Sequence, residues 1–346
     1  MSSQETNEQI VGTTRRLATM TQLILAGDVG GTKTWLGLFA PDGHRPSVVE
    51  ARRYPTLEFD SLMTMVAHFL KESEPSGQIV ATCFGVAGPV RANVSRLTNV
   101  PWLVEGDEIG RQLDIAPVRL LNDLEAMARA IPVLDSEELI VVQTGTLVVG
   151  GNAALIAPGT GLGEAGIHAV GNQLIPMPSE GGLADFAART PREFELVAML
   201  SAHQKRVAME DVISGPGLIN LHNFTHRSNP CLNQLPPDEP DLQPTAITTS
   251  ALSGNCAACV DTLDLFVSAF GAAAGNLALR SLATAGLYIG GGIAPQILTT
   301  LRNGRFIEAF VDKGPMRMLL EQVPIMVIRE QQAALVGAAL AARDLT

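Results

Sequence analysis

The segment GDVGGTKT, residues 27–34, follows the apolar run Leu23-Ile24-Leu25-Ala26 and places three glycines and two threonines in eight positions. Glycine lets backbone N–H groups approach a ligand that side chains would hold away, so a strand–turn–strand of this composition forms a concave nest for an anion such as phosphate. The spacing is not that of the G-x-x-x-x-G-K-[ST] loop. Taken alone, the turn reads most simply as an ordinary hairpin. Its weight comes from recurrence. Residues 153–175, AALIAPGTGLGEAGIHAVGNQLI, again give strand, glycine–threonine turn, strand, Gly-Asn turn, strand, and a third glycine turn follows at 290–295, GGGIAP. GTGLG lacks the spacing and the following helix of a dinucleotide fingerprint. Two similar halves are implied.

Outward from the first turn, QLILAGD, TKTWLGLFA and SVVEARRYP read as a three-stranded meander with a PDG turn at 41–43. SLMTMVAHFLKE has helical spacing, IVATCFGVAG is a buried strand, and a helix is expected near 105–113. Pro117 opens a strand, VRLLN, that runs into the helical LEAMARAI. The second half continues with helices around 191–202 and 210–224, a polar proline-rich loop at 228–244, a long helical stretch at 256–284, and then GLYIGGGIAPQIL as strand, glycine turn and helix start. A last helix near 331–342 is expected to return to the first lobe. The division is therefore a loose leader at 1–21, a small α/β lobe of 22–133 plus 325–346, and a large α/β lobe of 134–324.

A chain of 346 residues, 46% hydrophobic and 17% charged with 33 glycines, can bury a sizeable core and is not disordered. The net charge of −11, without a Lys/Arg block, speaks against a nucleic-acid partner held through phosphates. Residues 1–21 contain no apolar stretch of secretory length, and a cytoplasmic location is expected. Residues 139–163 are uncharged over a membrane-length span, but Gly145, Gly150, Gly151, Asn152, Pro158 and Gly159 divide them into short strands, so no membrane span is expected. Four cysteines include one C-x-x-C, Cys256 and Cys259; without a second ligand pair it reads as small buried thiols in a helix core. None of the six histidines falls in an H-E-x-x-H pattern.

The ordered series GDVGGTKT, GVAGPV, LTNVPW, LLNDLEA, APGTGLG, SEGG with ADFA, SGPGLINL, YIGGGIAP and DKG resembles the bacterial-type glucokinases, of the sugar kinase, heat-shock cognate and actin superfamily, over about residues 22–342. The resemblance implies an α/β, two-lobed actin-like ATPase (ribonuclease H-like) fold with ATP and sugar in the cleft between lobes. It implies transfer of phosphate from ATP to glucose, with Mg²⁺, and it allows a homodimer. By the same resemblance Asp28, Gly30, Gly31 and Thr32 belong to the first phosphate loop, Gly159, Thr160, Gly161 and Gly163 to the second, and Gly290, Gly291 and Gly292 to the adenosine site. Asp28 would stand beside hydrated Mg²⁺, holding it through water. Its local alternative is a turn aspartate.

Asp123 is the candidate base, because it ends a strand at the head of a helix where a carboxylate can face the cleft. Locally, Asn122 and Glu125 also have the spacing of a helix capping box. Asn122, Glu180 and Glu210 match the family's sugar-binding asparagine and glutamates, residue types that hold neutral polyols by several directed hydrogen bonds. Singly, each glutamate would read as a solvated surface residue. One position departs from the pattern: Leu183 stands where the family's segment usually ends in histidine, which implies a missing sugar hydrogen bond. Two rival readings follow, a kinase for another hexose and a non-catalytic sugar sensor. Asp123 speaks against the sensor, and the short leader cannot supply a helix-turn-helix.

Overall fold

The computed structural model describes residues 21–98, 100–115, 117–171, 173–227, 231, 239 and 242–346. The expected leader up to residue 20, Asn99 of LTNVPW, and most of the proline-rich loop lie outside the described residues. The backbone carbonyl of Thr21, assigned to the leader, accepts from Gln78 N–H at 2.9 Å and so joins the first sheet at its edge with β4.

The first half contains β1 (Gln22–Val29), β2 (Lys33–Ala40), β3 (Ser47–Pro55), α1 (Leu62–Ser73), β4 (Gln78–Val86), the short strands β5 (Val90–Arg91), β6 (Val94–Arg96) and β7 (Leu103–Glu105), α2 (Gly106–Leu113), β8 (Val118–Asn122) and α3 (Asp123–Ala130). The sheet order is β3-β2-β1-β4-β8, with β1, β2 and β3 antiparallel and β1, β4 and β8 parallel. The second half contains β9 (Leu139–Gln143), β10 (Ala153–Pro158), β11 (Leu162–Val170), β12 (Gln173–Ser179), α4 (Pro191–Ser201), α5 (Gly215–Thr225), α6 (Gln243–Leu252), α7 (Ala257–Ser281), β13 (Gly286–Ile289), α8 (Leu298–Leu301), α9 (Arg305–Val311), α10 (Arg317–Leu320) and β14 (Ile325–Ile328), before α11 (Ala333–Arg343). Its sheet runs β12-β11-β10-β13-β14, the same meander-then-parallel order, with β9 added antiparallel at the far edge. The duplication implied by the two glycine turns is thus a duplication of whole sheets.

Two boundaries move for physical reasons. β14 was expected with the first lobe from residue 325, but it pairs with β13 and β9, so the chain re-enters the first lobe only at α11. α5 starts at Gly215 rather than near 210, because Ser214 accepts from Gly217 N–H at 2.9 Å as N-cap and Pro216 fits the first turn. The uncharged span 139–163 resolves into β9, β10 and the start of β11. α7 is long and apolar enough to cross a membrane by length and composition, yet most of it is buried, with Phe266, Phe270 and Ala274 at 0% exposure.

One core lies between β1, β4, α1 and α2 in the first lobe, and a larger one lies under the second sheet against α5, α7 and α9. α11, AALVGAALAAR, is apolar on every side, as a helix must be when it is covered all round. One side meets Ile24, Ala26 and Leu121 of the first sheet; another, through Val336 and Leu340, joins α3 against Leu155, Ile167 and Tyr288 of the second. α11 and α3 approach so closely that a side chain at Gly337 would run into the carbonyl of Ala126. α3 therefore touches both lobes, and it carries Asp123 at its first position.

Candidate active site

The parallel strands β1, β4 and β8 end together: Asp28 pairs with Gly85, and Val86 with Asn122. A crevice outside the carboxyl ends of parallel strands is where open α/β sheets bind ligands. At Gly85 an added Cβ would lie 2.9 Å from that of Ala126, so the missing side chain is what lets the head of α3 settle beside Asp28. Asn122 caps α3, its Oδ1 accepting from Leu124 N–H at 3.0 Å while its Nδ2 donates to the Gly88 carbonyl at 3.3 Å. Asp123 Oδ1 accepts from the same amide at 2.8 Å. The capping reading and the cleft-facing reading therefore hold together: Asn122 provides the cap, and no bond from Glu125 is needed to fix Asp123.

Three carboxylates converge here. Burial pushes Asp28 up to about 7, the charge of Asp123 adds to this, and Lys33 partly offsets it. Burial likewise pushes Asp123 up to about 6, opposed by the Leu124 amide and reinforced by the charge of Glu180. Lys33, which carries no role in the motif reading, thus supplies positive charge to Asp28. Glu180 is exposed and precedes the single turn Gly181–Leu183; its carbonyl accepts from Leu183 N–H at 3.1 Å. Leu183 is 45% exposed, and its carbonyl, not its side chain, is engaged by Arg206.

Glu210 arrives from the other side. Its amide donates to the Gly182 carbonyl at 3.0 Å, and its Oε2 lies 3.4 Å from Leu162 N at the second glycine turn. A side chain at Gly161 would place its Cβ 2.8 Å from the same oxygen. That turn is closed by Gly159 N–H donating to the Gly161 carbonyl at 2.8 Å, and it is tied to α5 by Gly215 N–H donating to the Gly159 carbonyl at 2.8 Å. Thr160 is exposed at its tip, and Gly163 lets Leu124 of α3 approach to 2.5 Å of its missing Cβ. The first turn is held by Gly30 N–H to the Lys33 carbonyl at 3.1 Å and by the Thr56 hydroxyl to the Gly30 carbonyl at 2.9 Å, leaving Gly31 and Thr32 at the rim.

Gly290 lies against Met127 of α3, and Gly291 has φ +81 with its α-carbon backed by the Pro158 carbonyl, while Gly292 is open. The three glycine segments and the four candidate polar residues thus meet around α3 and the glycine turns. One supporting residue was not legible. Glu164, on β11, is 1% exposed, paired to Arg280 at 2.9 Å, and its Oε2 fills the space where Gly181 would carry a side chain. A lone glutamate in a strand that is otherwise apolar but for His168 was the available signal.

The glucokinase family profile matches residues 25–345. A glucokinase of Trichormus variabilis is 37% identical over 340 residues, spanning 93% of this chain and 99% of that protein. Among solved structures, the glucokinase from an Antarctic psychrotroph superposes with a TM-score of 0.81 at 32% identity, covering 93% of this chain and 99% of the other. A ROK family glucokinase from Streptomyces griseus, in complex with glucose and AMPPNP, shares the fold with a TM-score of 0.65 at 18% identity, covering 93% and 99%.

Proposed function

The chain belongs to the glucokinase family, and from that premise we propose that it phosphorylates glucose at the expense of ATP with Asp123 as the base. The observation that carries the assignment is the convergence of Asp28, Asp123 and Glu180 at the ends of β1 and β8, opposite Glu210 and the second glycine turn. Asp123 Oδ1 is engaged by the Leu124 amide, so the hydroxyl proton goes to Oδ2. A carboxyl raised to about 6 is still ionised at neutral pH, yet basic enough to help remove a hydroxyl proton. The sugar 6-hydroxyl oxygen attacks the γ-phosphorus, the bond to the β-phosphate oxygen breaks, and ADP leaves as Asp123 takes the proton.

Asn122, Glu180 and Glu210 orient the sugar by accepting and donating hydrogen bonds. Backbone amides of Gly31 and Thr32, and of Thr160 and Gly161, cradle the phosphates in turns closed by the Gly30 and Gly159 amides, Gly163 lets α3 close on the second turn, and Gly290, Gly291 and Gly292 leave room for the adenosine. The carboxylate oxygens suit a hydrated Mg²⁺, held by Asp28 through water: a hard donor buried beside a second acid is short of positive charge. When bound, the ion offsets the charge of the phosphates. Closing the lobes about α3 excludes water and so favours the sugar over hydrolysis.

Leu183 favours a second reading, a preference for another hexose, because it stands exposed on the loop that carries Glu180. ADP release measured with glucose, mannose, fructose and a deoxyglucose separates the readings. Glucose is expected to give the highest kcat/KM. A preference of about tenfold or more for another sugar, worth ~1.4 kcal/mol, would establish the second reading. Absence of turnover on every hexose would make the chain a sensor. We place the enzyme in the cytoplasm, where ATP is at hand, and expect a homodimer, which sedimentation velocity reads directly.

A further inference from the structure

Away from the cleft, the end of α5 and the start of α7 bring four soft donors around one point. His226, the C-cap of α5, directs Nε2 toward Cys256 Sγ at 3.4 Å and Cys259 Sγ at 3.8 Å. Cys231 Sγ lies 3.7 Å from Cys259 Sγ and 4.0 Å from Cys256 Sγ. Around zinc, with bonds of about 2.3 Å to sulfur and 2.0–2.1 Å to nitrogen, a tetrahedron has sulfur–sulfur edges of about 3.8 Å and nitrogen–sulfur edges of about 3.5 Å. The four observed edges fall on these values together. One close thiol pair would be ordinary packing; four mutual contacts with an imidazole nitrogen among them are the arrangement of a ligand shell.

The surroundings are those of a ligand shell too. His226 Nδ1–H donates to the His222 carbonyl at 2.8 Å, which fixes the tautomer that leaves the Nε2 lone pair facing the thiols. Cys256 is the N-cap of α7 and accepts from the amides of Ala258 and Cys259, and the Ser250 hydroxyl bonds to Cys259. Such donors stabilise thiolate sulfur. Cys256 and Cys259 are 7% and 0% exposed. His222, 6% exposed, stacks on His226 at 3.7 Å between ring centroids, and both its ring nitrogens are buried. Its ligand nitrogen lies within 4.8 Å of the donor atoms of His226, Cys231 and Cys259, so a fifth donor stands beside the shell.

We propose that Cys231, Cys256, Cys259 and His226 form a structural Zn²⁺ site. Four protein ligands leave no open position for catalysis. Zinc takes the thiolate forms, so binding displaces to solvent whatever protons the sulfurs still hold. Cys256 and Cys259 are buried in the core at the start of α7, as the sequence suggests, and folding adds a second pair of donors beside them, His226 lying 30 residues before Cys256. The ion would fasten the end of α5, whose other end is bonded to the second glycine turn, to the start of α7.

The test begins with metal analysis of the full chain purified without chelator from zinc-supplemented culture. About one zinc per chain is expected. Replacing it with Co²⁺ should give the visible bands of a tetrahedral ion together with near-ultraviolet thiolate charge transfer. Removing the metal should lower the melting temperature and expose three thiols to a disulfide reagent. Cys256→Ser and His226→Ala should lose metal by roughly tenfold or more, and His222→Ala should keep it. If the variants fail to fold, the cobalt spectrum of the unaltered chain still decides. The proposal is overturned by metal-free protein whose three thiols react with or without added zinc, by a cobalt spectrum lacking thiolate bands, or by an intact mass that reveals a disulfide among these cysteines.

Discussion

Replacing Asp123 by asparagine should weaken the enzyme and strengthen the fold, and the two effects have one cause. The carboxyl is raised from 3.8 to about 6, chiefly by burial and further by the charge of Glu180. The native state therefore binds the proton more tightly than the unfolded chain does. That contribution is fully present below 3.8 and is lost as pH rises through about 6. At ~1.4 kcal/mol per pH unit, a rise of this size sets an upper limit of about 3 kcal/mol on the native-state cost of the ionised group. The side chain is part-exposed, and solvent screening reduces the figure to about 1–2 kcal/mol.

Asparagine is nearly isosteric, and its Oδ1 can keep the 2.8 Å bond to Leu124 N–H. Asp123→Asn should thus melt a few degrees higher than the parent at pH 8 without ligands, and at the same temperature near pH 4. Turnover should fall by roughly 10²- to 10⁴-fold, the usual value of a general base. Differential scanning calorimetry across this pH range and steady-state kinetics at pH 8 test both halves. Turnover within a few-fold of the parent would remove Asp123 from the chemistry, and a melting difference independent of pH would refute the electrostatic reasoning.

In the parent enzyme, the pH profile of kcat/KM should carry an acid limb near the value of about 6 assigned to Asp123, and a limb near the ordinary carboxylate range would contradict it. Gly291→Ala forces a side chain into φ +81 and against the Pro158 carbonyl, so it should raise the KM for ATP while leaving that for glucose nearly unchanged. Gly161→Val should raise both KM values, because its Cβ would sit 2.8 Å from Glu210 Oε2; from the sequence alone an effect on ATP would be expected to dominate, and an ATP-only effect would place Glu210 outside the sugar site. Leu183→His should improve kcat/KM for glucose about two- to tenfold, the range of one neutral hydrogen bond, and no change would show that another group already makes the contact.

Much of the fold was legible because its signals are local. β1 is a buried apolar run, the hairpins turn at Gly-Gly, at Pro-Asp-Gly and at Gly171, and Pro117 marks the start of β8. The repetition of one strand pattern carried the sheet order further than any single motif. β5, β6 and β7 were missed because two or three residues give no readable period, and α6 was hidden by the proline-rich stretch before it. β14 was assigned to the wrong lobe because strand composition does not encode which sheet a strand joins. In the site, the glycine turns and Asp123 were readable from their strand-end positions. The mutual charge of Asp28, Asp123 and Glu180 was not, since Glu180 comes within reach only when the SEGG turn folds over β11. The cluster of Cys231, Cys256, Cys259 and His226 was likewise invisible in the spacing, because its members belong to different helix ends.

The position of α11 bears on how the protein is made. The first sheet is complete at Asn122, but the helix that covers Ile24, Ala26 and Leu121 begins only at Ala333. At ~5–20 residues per second, the ribosome needs about 10–40 s to make the intervening chain. During that interval the nascent first lobe has an uncovered greasy face, and α3 lacks the helix it packs against. That seal arrives only once α11 has left the exit tunnel. Trigger-type chaperones should therefore engage this face on stalled chains ending before Ala333 and release it once α11 has emerged.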